Sequence, residues 1–343
     1  MRSPLLQAER WRCTFDRQAF VFPLRLCVSA FQIAFPHMKK LLLLCLLPLL
    51  AWAAPDPLPE ALAPGVFLLR GAASPASPLN GGFTANGGFF VGDKGVVLLN
   101  PGPNRAAAQA RERAVSRVTP LPVTLVVDAH ARPEQVLGTG WFVEQGVPVL
   151  AHPETARLMK ARCERCQELL SAQAGTAAMA GTRIVLPQPG LADGQSLGLA
   201  GRRLRVIVPG GAMLPGNTAI FDEASGILFA GVLVSLDSIP DLRDADPAGL
   251  LEALDRIKAL PLTLLVPERG APAAPPRLLE YRRYISQLQA KVAAAYQAGV
   301  SLAEADAACE LPEFSAWSDY ATQHPINVRA WFQRLEAADF AGH

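Results

Sequence analysis

Val126-Val127-Asp128-Ala129-His130-Ala131-Arg132-Pro133-Glu134-Gln135-Val136-Leu137-Gly138 is the stretch whose reading decides the fold. It opens as the end of a β-branched apolar run, Val123 to Asp128, of the kind expected for a strand buried on both faces. The strand gives way to a loop, and Pro133 suits the first turn of a helix, where a missing N–H removes no intrahelical bond. Between them the loop presents an imidazole, a guanidinium, a carboxylate and a carboxamide: His130, Arg132, Glu134 and Gln135.

Working outward, short apolar segments are separated by Gly/Asn/Asp turns and by helices. Val66–Leu69 and Gly88–Val91 read as strands, and Gly92-Asp93-Lys94-Gly95 is a tight turn into Val96–Leu99, giving a hairpin. Arg105 to Val118 is rich in Ala, Arg and Glu and reads as a helix. After the central stretch come a strand over Val147–Ala151 and a long helix from Pro153 to about Ala174. The second half repeats this grammar. Arg183–Leu186, Arg203–Val208, Thr218–Asp222 and Ile227–Ala230 read as strands, Pro247–Leu260 as a helix, and Leu262–Val266 as another buried strand. Helices follow over Pro276–Gly299 and Val328–Ala338, beyond the Pro/Ala-rich loop Ala271–Pro276. Two similar halves of strands and helices imply two sheets packed face to face with helices outside.

At the central stretch the sequence resembles the metallo-β-lactamase superfamily, whose pattern there is a strand followed by His-x-His-x-Asp-His and a nearby Gly. The surrounding order agrees. Asn86-Gly87-Gly88 leads into the hairpin, and Leu98-Leu99-Asn100-Pro101-Gly102 stands for apolar-Asp-x-Gly. Phe229-Ala230-Gly231 stands for the strand leading to a bridging ligand, and Val266-Pro267-Glu268-Arg269-Gly270 for a Pro-Gly-His-Gly-like turn. Trp317, His324-Pro325 and Asn327-Val328 resemble the C-terminal signature of the exported quinoprotein relay system zinc metallohydrolases. The resemblance runs from about Gly65 to the end. It implies a four-layer αββα sandwich over residues 54–275 and a helical C-terminal extension, 276–343, packing on it.

The resemblance also implies a dinuclear zinc hydrolase, and here the residues depart from it. Two zinc ions need imidazoles and carboxylates at fixed distances around a bridging hydroxide. Carried over position by position, only the first histidine survives, as His130. The second is Arg132, a permanent cation that cannot ligate a metal. The aspartate is Glu134, one methylene longer, and the last histidine of the motif is Gln135. The later ligand positions fall on Met213, Val232 and Arg269. No cofactor is expected. Arg132 and Arg269 are expected at the mouth of one cleft, near Glu134 and with His130 between them. They would form either a salt-bridge network or a site for a small anionic ligand, a carboxylate or phosphate. His152, Asp237, Asp241 and His324 read as loop, capping or packing residues.

The N-terminal segment carries a separate message. Met38-Lys39-Lys40, the apolar run Leu41–Leu50 and Ala51-Trp52-Ala53 have the order of a signal peptide, 38–53, cleaved near Ala53 into a periplasmic or secreted protein. The run is shorter than the ~20 residues that span a bilayer, so no stable membrane anchor is expected. Residues 1–37 read as a mis-assigned upstream segment. Of 32 Lys/Arg and 30 Asp/Glu, seven and two lie in the first 53 residues, so the remainder holds 25 basic against 28 acidic side chains. That balance argues against nucleic-acid binding. Cys163, Cys166 and Cys309 remain in the mature chain; Cys163-Glu-Arg-Cys166 reads as two thiols on one helical face or a local disulfide rather than a redox motif.

Together these readings give a degenerate, exported metallo-β-lactamase-fold pseudoenzyme that binds a ligand or assists a partner. The family resemblance adds a periplasmic redox dehydrogenase as a candidate partner. The alternative is a hydrolase with a mononuclear or altered site centred on His130.

Overall fold

Side-chain alternation along Val96–Leu99 sets the layering. Val97 and Leu99 point into one apolar cluster, Val96 and Leu98 into another on the opposite face, as the two-residue period of a pleated strand requires. A strand apolar on both faces must be covered on both. The computed structural model describes residues 56–72 and 74–342; the expected upstream segment 1–37 and signal peptide 38–53 lie outside them.

The first sheet has seven strands in sequence order: β1 (Pro59–Ala63), β2 (Val66–Leu69), β3 (Gly87–Val91), β4 (Val96–Leu99), β5 (Val123–Asp128), β6 (Val149–Ala151) and β7 (Gln188–Pro189). Strands β1 to β4 are antiparallel, and β4 to β7 are parallel. Parallel neighbours need a crossover, supplied by α1 (Arg105–Ser116), by α2 (Pro133–Val136) with α3 (Thr139–Glu144), and by α4 (Pro153–Ala174). The second sheet runs β12 (Leu264–Pro267), β11 (Ile227–Gly231), β10 (Ala219–Asp222), β9 (Arg202–Ile207), β8 (Ser196–Leu199). It is an antiparallel meander closed by one parallel strand, β12, beyond α5 (Pro247–Lys258).

Between the sheets, Leu68, Phe90, Leu99 and Val127 meet Leu204, Val206, Ile220 and Phe229. Each such side chain, fully buried, contributes about 1.5–3 kcal/mol. Gly88 lets the sheets approach: a Cβ there would lie 2.4 Å from the Phe229 ring. Outside the first sheet, Phe89, Val96 and Leu98 pack on Ala108, Ala114 and Val115 of α1. Outside the second, Phe221, Leu228 and Leu265 share a cluster with α5, α6 (Arg277–Gln297) and α7 (Tyr320–Gly342). The order helix, sheet, sheet, helix is the expected αββα sandwich, with the C-terminal helices joined to its second outer layer.

Some elements differ from the sequence reading. Arg183–Leu186 is not a strand. Leu186 is exposed, Pro187 offers no N–H, and only Gln188 and Pro189 pair, with Leu150 and Ala151. Two edge strands, β1 and β8, carry too few apolar residues to announce themselves. The last helix starts at Tyr320 rather than at Val328 and contains Pro325. The burial of Val328, Trp331 and Phe332 outweighs the hydrogen bond that proline removes.

Candidate functional site

The loop after β5 is built from below. Asp128, wholly buried, ends the strand and accepts a 2.7 Å hydrogen bond from Thr139 Oγ1. Burial pushes its carboxyl up to about 8, against that bond, so at neutral pH it is chiefly a protonated acid. Asn100 adopts a left-handed conformation, φ +59°, and its Oδ1 accepts from the Ala129 amide at 3.1 Å. Gly102 donates its N–H to the Gln135 carbonyl and accepts one from Gly138, both at 2.8 Å. Asn100-Pro101-Gly102 thus clamps the loop at Ala129, Gln135 and Gly138. Arg111 of α1 supports the clamp: fully buried, it donates to the Asn100 carbonyl and lies 4.7 Å over the Phe83 ring. Burial lowers its pKa to about 9.

On this base His130 is 1% exposed, with Nε2 3.5 Å from Glu268 Oε1. It sits under Gly231, where an added Cβ would lie 3.5 Å from the imidazole. Glu268, just past the end of β12, is itself buried. Burial opposes its ionisation, yet contact with His130 and the charges of Arg132 and Arg269 hold its carboxyl well below the usual carboxylate range. The sequence reading missed Glu268. Its only signal there is a lone carboxylate at the end of an apolar strand, next to the arginine that drew the attention.

Arg132 stands just before α2 in extended conformation. Its Nη2 donates to the Asp241 carbonyl at 3.2 Å, and Nη1 lies 3.8 Å from Asp241 Oδ2. Burial works against its charge, but the carboxylates of Glu268, Glu134, Asp241 and Asp244 raise its pKa above the ordinary value. Asp241 is also held by Arg243, through contacts of 2.9 and 2.7 Å. Asp241 is thus a loop residue whose carboxylate is paired on both sides. Arg269 Nη1 lies 3.9 Å from Asp319 Oδ2, a loose pair. Glu134, in the first turn of α2, has no ion-pair partner among the described residues.

Arg132, Glu134, Glu268 and Arg269 line one cavity of about 300 Å³, together with Asp241, Asp319 and Gln323. The expectation that the two arginines share a cleft with Glu134 is met. His130 does not lie between them; it is sealed beneath and touches the cavity only through Glu268. The other expected positions are not part of the wall. Gln135 is wholly buried with neither amide atom hydrogen-bonded. Met213 and Val232 belong to the apolar cluster under the second sheet. In this cavity two guanidinium groups face four carboxylates, Glu134, Asp241, Glu268 and Asp319.

The donor set does not fit the zinc centre that this fold implies. A guanidinium has no lone pair to give and stays charged, and Arg132 occupies the middle of the motif with carboxylates turned toward it. His130 is the sole imidazole of the loop, and its neighbour Gln135 is a weak donor. Among the described residues no group of three or more His, Cys, Asp or Glu is arranged to hold a metal ion. His152 caps α4, its Nδ1 accepting from the Glu154 amide at 3.2 Å. His324 is buried between the Tyr284 hydroxyl and the Cys309 carbonyl, 3.1 Å from each. Cys163, Cys166 and Cys309 are free thiols. None of the helices among the described residues is long and apolar enough to cross a membrane.

The family model for the metallo-beta-lactamase superfamily matches residues 80–269. A search of curated proteins finds no match. Among solved structures, the chain is similar to a metallo-beta-lactamase from Pontibacter korlensis, with TM-score 0.54 and 19% identity over 66% of this chain and 98% of that one. It is also similar to the stereoselective inverting sec-alkylsulfatase Pisa1 from Pseudomonas sp., with TM-score 0.63 and 16% identity. That match covers 81% of this chain but 50% of the sulfatase. Identities this low carry the fold alone.

Proposed function

The chain belongs to the metallo-β-lactamase superfamily, and from that premise we propose that it is an exported pseudoenzyme, a binding or accessory protein that does not use the family's dinuclear zinc chemistry. One observation carries the reading: Arg132, which cannot ligate a metal, stands where the motif needs its second histidine and is engaged by Asp241 at 3.2 Å. A cation there repels the ions that the remaining donors would have to share. The signal-like segment 38–53 supports export to the periplasm or beyond. The likeness of Trp317, His324 and Asn327 to the quinoprotein relay signature supports a periplasmic redox dehydrogenase as partner, which co-purification from the native host tests.

A second reading is a hydrolase with a mononuclear or altered site centred on His130, favoured by its 3.5 Å contact with Glu268, since a carboxylate commonly orients a working imidazole. Burial counts against it, because a histidine 1% exposed offers no approach to a substrate. A screen of esters, β-lactams, thioesters and alkyl sulfates separates the two. The pseudoenzyme reading expects no turnover that His130→Ala abolishes; such turnover would establish the hydrolase.

A further inference from the structure

Asn86 ties together three segments that surround a second cavity, where ends of the two sheets meet. Its backbone N–H donates to the Glu268 carbonyl at 2.8 Å, and its Nδ2 to the Pro267 and Gly270 carbonyls at 3.0 Å each. Its Oδ1 accepts from the Gly71 amide at 3.1 Å. The segments after β2, before β3 and after β12 are thereby held around a space of about 230 Å³. Arg269 lines this space as well as the Arg132 cavity, so the two adjoin at its side chain.

The charge here is the reverse of that around Arg132. Arg70 and Arg269 stand in the wall with one carboxylate, Asp237, which Arg277 holds at 2.6 Å. Arg70 donates once, from Nη2 to Glu60 at 2.6 Å, and both side chains are well exposed. A surface pair of this kind is weak, and it leaves most donors of the guanidinium unused. Arg269 makes no hydrogen bond among the described residues. Asp319 lies 3.9 Å from it, and Glu268 acts on it through charge.

Two buried hydroxyls point the same way. Thr84 is 3% exposed and Ser238 8%, and both line the cavity. Neither hydroxyl is hydrogen-bonded among the described residues, and neither oxygen is sealed from solvent. A buried polar group normally has a partner. Two hydroxyl donors beside two guanidinium groups suit an acceptor that carries negative charge.

We propose that this cavity binds the oxyanion group of a small acid, a carboxylate or a phosphate, between Arg70 and Arg269, with the Thr84 and Ser238 hydroxyls donating to it. The planar fork of a guanidinium fits either group. The Arg132 cavity suits an anion less, because its guanidinium is engaged by Asp241 and lies in the field of Glu268 and Glu134. A cavity below the usual size of ligand sites admits a small acid or the acidic end of a longer one. This inference names a ligand class and its place for the binding-protein reading, and rests on that reading.

Isothermal titration of the purified mature protein with succinate and with inorganic phosphate, at low chloride and low ionic strength, tests it. Saturable binding of at least one is expected, and the tighter of the two identifies the acid. Binding should weaken at least tenfold in Arg70→Gln and in Thr84→Val, and stay unchanged in Arg165→Gln, an exposed arginine of α4. Arg70 is on the surface and valine keeps the shape of Thr84, so both variants should melt like the wild type. Binding that either substitution leaves unweakened would overturn the inference, and so would a zinc-free protein that binds neither anion at millimolar concentration. Elemental analysis of the same sample separates the failures. Zinc at stoichiometric level sinks the underlying reading, whereas its absence with no anion binding sinks the ligand class alone.

Discussion

At the residue scale, the site is governed by how each ionisable group is counter-charged. Asp128 has no charged partner, and burial pushes its carboxyl up to about 8. An acid whose folded pKa lies above its unfolded value of about 4 makes the native state progressively less stable between those two pH values, at up to about 1.4 kcal/mol per pH unit. Asp128→Asn keeps an acceptor for Thr139 and removes the titration. Urea denaturation should therefore show stability falling from about pH 4 to about pH 8 in the wild type and a flatter profile in the variant. His130→Ala should cost about 1–3 kcal/mol, because it strands the buried Glu268 carboxylate without its nearest polar neighbour. His130→Ala combined with Glu268→Gln should recover part of that loss in the same assay. The identities of His130, Arg132 and Glu134 were legible in the sequence, and so was the gathering of Arg132 and Arg269. The pairing of His130 with Glu268 was not, since 138 positions separate them in the chain and no local pattern encodes such a contact.

At the element scale, the loop carrying Asp241 is held by the last helix rather than by the sheets. Asn327 donates to the Pro240 carbonyl at 2.8 Å and accepts from the Leu242 amide at 3.0 Å, and Trp331 Nε1 reaches the Leu242 carbonyl at 3.1 Å. Asn327→Ala leaves two buried backbone groups without partners, a loss of about 1–3 kcal/mol. Thermal denaturation should register that loss, and the Leu242 amide should exchange with solvent faster; an unchanged melting temperature and exchange rate would contradict the assignment. Long, periodic segments such as the helix from Pro153 to about Ala174 were legible, because an amphipathic helix repeats its signal over many turns. Short edge strands were not. Pro59–Ala63 and Ser196–Leu199 are held by ladder hydrogen bonds to β2 and β9, which leave little trace in side-chain pattern. Tyr320–Gly342 was cut short because Pro325 reads as a boundary wherever tertiary packing is unknown.

At the scale of the whole molecule, the C-terminal helices are part of the sandwich's outer layer. Tyr281, Tyr284, Ile285, Leu288, Val328 and Trp331 are buried in the same cluster as Phe221, Leu228 and Leu265. A chain ended at 275 would bare that face of the second sheet and should lose its cooperative melt by circular dichroism; a folded, monomeric truncation would refute this. The turn before the last helix supplies Asp319 and the helix itself Gln323 to the Arg132 cavity, so fold and site are not separable there. The family could be read from motif order because clamp, hairpin and turns follow one another along the chain in the order of the fold's elements. Metal analysis of the purified mature protein, by plasma mass spectrometry after zinc loading and desalting, tests the central claim most directly. Substoichiometric zinc and a melting temperature unmoved by chelator are the expected result; two tightly held zinc ions per chain, whose removal lowers the melting temperature, would contradict it.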